Sequence, residues 1–162
     1  MLSETKLVNG EVVLVSIFSS KQEYEDWGIV DISHWKEGID SNVRTYQQNY
    51  IAHNFSRKEF DTYCLMHPVT NGTSFAYFLN IVREINPAYI VCIINGHDLE
   101  HELKHARFYL DKEYRDTKIK AWEKLNMRER RKISKKLASL GYGEHVHVDE
   151  WQAYGCKYKN IP

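Results

Sequence analysis

Hydrophobic and polar residues change period several times along this chain, and each change predicts an element. The run EVVLVSIF at 11–18 is dense in β-branched residues and predicts a strand. SKQEYEDWG at 20–28 is polar and predicts a short helix, capped by Ser20 and closed by Gly28. IVDISHW at 29–35 returns to alternation, as a strand would. Residues 40–63 mix polar and aromatic side chains, with one helix predicted from Ser56 through Tyr63 and capped by Ser56.

After a turn at PVTNG (68–72), the stretch 75–86 carries Phe75, Phe78, Leu79, Val82 and Ile85 at helical spacing, and Asn86-Pro87 stops it. AYIVCII at 88–94 is continuously apolar and β-branched, which predicts a strand covered on both faces. Asn95-Gly96 ends that strand and opens a histidine-rich helix from about 97 to 110. Helices are predicted near 113–125 and 127–140, with Asn126 as the cap between them and Gly141 as the final stop. HVHV at 145–148 alternates like a short strand, and residues 149–158 form a last helix capped by Asp149. The order implies α+β: a small mixed sheet packed by helices, with a histidine-bearing helix following a buried strand.

At 162 residues with 43% hydrophobic content, the chain is long enough for one domain spanning 1–162, and too apolar to be disordered. Twenty-two basic residues balance twenty-two acidic ones, which argues against bulk attraction to nucleic acid or to an anionic membrane. No apolar run reaches the length of a membrane span and no signal peptide is evident, so a cytoplasmic protein is expected. Cys64, Cys92 and Cys156 are odd in number and widely spaced, as reduced thiols would be. The basic run at 126–142 reads as the solvated face of an amphipathic helix, because Ile133, Leu137 and Leu140 share the opposite side with Met127.

Chemistry concentrates in INGHDLEHELKHARFY, residues 94–109. Within it HELKH (101–105) is H-E-x-x-H. Side chains four apart lie on one helix face, so His101 and His105 can offer nitrogens to one ion, with Glu102 beside the open side to take a proton from metal-activated water. The competing reading is a solvated helix held by pairs such as Glu100 with Lys104. Catalytic zinc takes three protein ligands, so one more is required. His97 is a poor candidate, because i, i+4 and i+8 spans about 12 Å along a helix. His145 and His147 alternate and point to one side, so either can complete the set.

HELKHA, followed by DEWQAY at 149–154, resembles the zinc metallopeptidases of the gluzincin type. The resemblance covers about residues 88–155, and it leaves residues 1–87 without a role. It implies zinc held by His101, His105 and Glu150, with Glu102 as general base and a peptide or protein as substrate. It also asks for an electrophile at the oxyanion, which Tyr154, four residues after Glu150, or His147 would supply, and it gives Asp149 an alternative to capping its helix, that of orienting a zinc-bound imidazole. AYIVCII is then the edge along which an extended peptide would pair. Arg107 and Arg115 are available to a substrate carboxylate, although nothing in their spacing requires it. The principal rival is a non-catalytic, zinc-stabilised protein-binding module. A carboxylate-bridged iron site lacks its second helical E-x-x-H.

Overall fold

A computed structural model of the chain describes residues 1–37 and 52–162. The part of the polar and aromatic stretch from 40 up to 51 lies outside the described residues. The architecture is α+β, with a four-stranded mixed sheet and, among the described residues, eight α-helices. Strands β1 (Leu2–Val8) and β2 (Glu11–Phe18) form a hairpin. Asn9 and Gly10 turn it with φ of 52° and 81°, the two positive angles of a type I′ connection. β3 (Ala52–Ser56) and β4 (Tyr89–Ile94) complete the order β1-β2-β4-β3, in which only the β2–β4 pairing is parallel.

β4 is therefore an inner strand, hydrogen-bonded on both sides, and β3 is the edge beside it. This corrects the expectation that AYIVCII is an open edge: a strand buried at five of its six positions has no room for a further partner. Its side chains alternate between two cores. Ile90 and Cys92 join Leu14, Phe18 and Phe55 beneath α1 (Lys21–Asp26), α2 (Ile29–Glu37), α3 (Arg57–Met66) and α4 (Ser74–Ile85). Tyr89, Val91 and Ile93 join Val13 and Val15 on the other face, under α5 (Leu99–Leu110).

The segment 29–35 is helical and not extended. Among the described side chains there Ile29 and Ile32 are fully buried, and a spacing of three places them on one helical face. Serine caps hold as expected. Ser20 accepts from the Glu23 N–H, and Ser56 forms a full capping box with Glu59.

A third apolar cluster is built from α6 (Lys112–Lys124), α7 (Met127–Ser139), α8 (His147–Ala153) and the tail, around Ile133, Leu137, Trp151 and Ile161. Arg128, Arg131, Lys132 and Lys135 of α7 are exposed, Arg130 and Lys136 are half-buried against backbone carbonyls, and Lys132 and Lys136 lie over the Tyr158 ring. HVHV is no strand: Glu144–Val146 forms a 3-10 turn leading directly into α8. The three thiols are free, with Cys92 buried. Among the described residues no helix is long and apolar enough to cross a membrane.

Candidate metal centre

α5 starts at Asp98, whose side chain accepts from the His101 N–H at 3.1 Å, and Glu100 and Glu102 add favourable negative charge to the first turn. Ala106 anchors the helix to the sheet. It is fully buried against the strand residues, with Leu99, Leu103 and Leu110 packed alongside. At that position a methyl group lets the helix approach the strands closely. The adjoining face, bearing His101, Glu102 and His105, is thereby fixed between β3 and α8. Glu100 and Lys104 form the expected pair, at 3.8 Å, on the solvent side.

His101 Nε2 and His105 Nε2 stand 3.2 Å apart. From α8, Glu150 brings Oε2 to 3.9 Å from His101 Nε2 and Oε1 to 3.8 Å from His105 Nε2. One ligand atom from each of the three residues lies within 4.8 Å of the others, and two of the three side chains are partly buried while His105 is buried. Tetrahedral zinc, with bonds near 2.0–2.1 Å, sets neighbouring ligand atoms about 3.3–3.4 Å apart. The two imidazoles already meet that spacing, and a small closing of Glu150 completes it. The donor set, two nitrogens and a carboxylate, fits zinc.

The surroundings push the two histidines in opposite directions. Burial holds the pKa of His101 down to about 4, and His105 beside it pushes the same way. Burial also works against the charged form of His105, but Asp149, Glu150 and Glu102 outweigh it and lift its pKa to about 9. Three carboxylates around one imidazole thus call for positive charge at its position.

Of the two tasks open to Asp149, the structure leaves out the preferred one, the cap. α8 begins at His147 without a capping side chain, which leaves Asp149 inside the first turn. Its Oδ1 lies 2.9 Å from His105 Nδ1 and accepts from Gln152 Nε2 at 2.9 Å. Gln152 also donates to the Lys104 carbonyl at 3.2 Å and accepts from the Tyr114 hydroxyl at 2.9 Å. A carboxylate on the far nitrogen fixes the ring's tautomer and orientation, leaving Nε2 to bind metal.

Glu102 is buried on the β3 side. Its Oε2 accepts from Asn54 Nδ2 at 2.7 Å, and Asn54 Oδ1 accepts from the Tyr89 hydroxyl at 2.5 Å. The sequence held signals for both partners. Asparagine is depleted in strands, so one in AHNFS marks a side-chain task, and a tyrosine in an aliphatic strand must place its hydroxyl somewhere.

Tyr154 ends α8 with its ring centroid 4.6 Å from that of His101. Burial raises its pKa, offset in part by a hydrogen bond with Tyr142. It packs on a candidate ligand and does not line the adjacent cleft. That cleft, of about 460 Å³, is walled by Asn54, Tyr89, His105, Arg115, Tyr142 and Glu150 among others. His145 also lines it, its ring folded against Gly143, where a Cβ would lie 2.8 Å from the imidazole. His147 is buried with Nε2 3.1 Å from the Tyr142 carbonyl, so it pins the loop before α8 and is not in the cluster. His97 precedes α5 and accepts from the Asp98 N–H at 3.0 Å. The structure thus gathers His101, His105 and Glu150, with Glu102 next along α5 and the Tyr154 ring tilted against His101, and leaves His97 and His147 out.

No family model, curated protein or solved structure matches this chain. The functional reading therefore rests on the donor set and its surroundings.

Proposed function

We propose that this protein is a zinc-dependent hydrolase, most simply a cytoplasmic metallopeptidase of gluzincin-like design acting on a peptide or protein. The observation that carries the reading is the convergence of His101, His105 and Glu150 from two helices onto one point at the edge of a cleft. His101 and His105 come from one face of α5, and Glu150 comes from α8, so the ion would clasp the two helices together. When bound, zinc supplies a Lewis acid that polarises a carbonyl and activates water. Glu102, one position along α5 from His101, would take the proton from that water and deliver it to the departing amine. Asn54 holds one carboxylate oxygen of Glu102 at 2.7 Å and so fixes the orientation of the side chain. Asp149 keeps His105 in the tautomer that presents Nε2. Tyr142 and His145 line the cleft and are placed better than Tyr154 to reach the oxyanion. Free thiols at Cys64, Cys92 and Cys156 suit a reducing compartment.

The test is elemental analysis of tag-free protein, wild type beside Glu150→Ala, followed by peptide hydrolysis with wild type and Glu102→Gln. One zinc per chain, lost in Glu150→Ala, with hydrolysis abolished by Glu102→Gln, is expected. Absence of metal after reconstitution would overturn the proposal. Burial of Glu102 and its bond to Asn54 also suit a second reading, the zinc-stabilised binding module. In that case zinc binds, and Glu102→Gln changes nothing.

A further inference from the structure

Arg115 stands in the wall of the same cleft as His105 and Glu150. It belongs to α6 yet reaches back to α5, where its Nη1 donates to the Phe108 carbonyl at 3.1 Å and the Tyr109 carbonyl at 2.7 Å. Those carbonyls are in the last turn of α5 and lack helical partners, so this contact alone would make Arg115 a helix cap. Capping uses one of three guanidinium nitrogens. Among the described residues no carboxylate forms an ion pair with Arg115; Asp116, its nearest acidic neighbour in sequence, pairs with Lys112 and feels the Arg115 charge only at longer range. The other arginine of this region, Arg107, lies over the Tyr114 ring at 4.2 Å, with a side chain 55% exposed, and is outside the cleft wall.

The acidic groups lining the cleft are otherwise committed. Glu150 faces the two histidines, Asp149 faces His105, and Glu59 closes the capping box with Ser56 at 2.7 and 2.9 Å. A rigidly anchored guanidinium with an unpaired edge, in a cleft whose carboxylates are engaged, is a built receptor for an anion. From the geometry we infer that Arg115 is an anion subsite and that the substrate carries a carboxylate close to the bond cleaved. This rests on the hydrolase reading above.

Spacing sets how close. Phe108 and Tyr109 follow His105 by three and four residues, about one helical turn or ~5 Å along the axis. An extended peptide advances about 3.3 Å per residue. The carboxylate would therefore lie one or two residues from the reacting carbonyl. The main-chain terminus and an acidic side chain both offer that chemistry. Planar recognition by two guanidinium nitrogens would favour carboxylate over a spherical anion.

The experiment uses zinc-loaded full-length protein and a peptide series of common core. One member has an acidic side chain, one replaces it with glutamine, and each is made with a free and an amidated C-terminus. Cleavage is measured for wild type, Arg115→Gln and Arg115→Lys, and binding is measured in the Glu102→Gln background so that peptide is not consumed. Wild type should prefer the anionic members, and Arg115→Gln should weaken their binding and kcat/KM about 10- to 100-fold more than those of the neutral members. Arg115→Lys should fall between, because it keeps charge and loses the planar fork. Loss on amidation assigns the subsite to the chain terminus, and loss on the glutamine exchange assigns it to an acidic side chain. Zinc content and melting temperature monitor the cap at α5. Equal handling of anionic and neutral peptides by wild type, or a loss in Arg115→Gln that is the same for both, overturns the subsite and leaves the hydrolase standing. If zinc-loaded wild type neither binds nor cleaves any member, the hydrolase reading falls and takes the subsite with it.

Discussion

Replacing Asp149 by asparagine tests the metal centre at its most diagnostic point. Asp149 Oδ1 is 2.9 Å from His105 Nδ1, while Glu150 approaches the opposite nitrogen. Asparagine has nearly the same shape and still offers an acceptor to His105 and Gln152, so what it removes is negative charge. A carboxylate behind a ligating imidazole raises its basicity and fixes its orientation, and losing one costs about 10- to 100-fold in metal affinity. At about 1.4 kcal/mol per factor of ten, that is about 1.4–2.7 kcal/mol. The assay is competition for zinc against a chromogenic chelator near neutral pH, with circular dichroism confirming the fold. Weakening in that range, with zinc still bound at saturation, is expected. An unchanged affinity in a folded Asp149→Asn protein would refute the assignment of His105 as a ligand oriented by Asp149.

Glu102→Gln should retain its zinc and lose about 10²–10⁴-fold in turnover, the usual contribution of a general base. Retained hydrolysis would remove Glu102 from the chemistry. Ala106→Leu should destabilise the fold by about 1–3 kcal/mol in thermal or urea unfolding and also weaken zinc binding, because overpacking lifts α5 from the sheet. An unchanged midpoint would mean that the helix does not rest there. In metal-free protein the folded-state pKa of His105 is raised to about 9 from an ordinary 6.5. A raised pKa means stabilisation that is full below pH 6.5 and lost as pH climbs through about 9. The gap in stability between wild type and Asp149→Asn should therefore narrow over that window in chemical unfolding, and a gap that widens with pH would contradict it.

Helices and their caps were legible because their determinants are local. Ser20, Ser56 and Asn126 each mark a helix start by the oxygen they present to the N–H three residues on. Elements defined by long-range pairing were harder. β3 is five residues long and carries His53 and Asn54, so it lacks the apolar run that made β4 obvious. β1 was not foreseen, although Asn9-Gly10 is a turn signal that could have found the hairpin, because LSETKLV beside it is half-exposed and lacks an apolar run. Segment 29–37 failed because periods of two and three are nearly indistinguishable over so few apolar positions. In the site, H-E-x-x-H is a local motif and was found directly. Asn54, Tyr89 and Arg115 reach it only through tertiary structure, so no spacing in the sequence could connect them to it.

The chain's apolar cores do not run into one another across the proposed metal centre. Val13, Val91 and Ala106 belong to one, and Ile133, Leu137 and Trp151 to another. Between them α5 and α8 meet through polar groups: Lys104 with the Ala153 carbonyl, Gln152 with the Lys104 carbonyl, and the histidines with Glu150. A polar seam yields little free energy when it forms, so this is where the molecule parts most readily. A ligand that bridges the seam transfers its binding energy to that opening, about 4 kcal/mol at free zinc a thousandfold above its Kd. Amide hydrogens of α8 would then exchange at a rate set by zinc supply, while those of β4 would not. If zinc binds as proposed, exchange in the C-terminal helices would then report how fully the site is loaded.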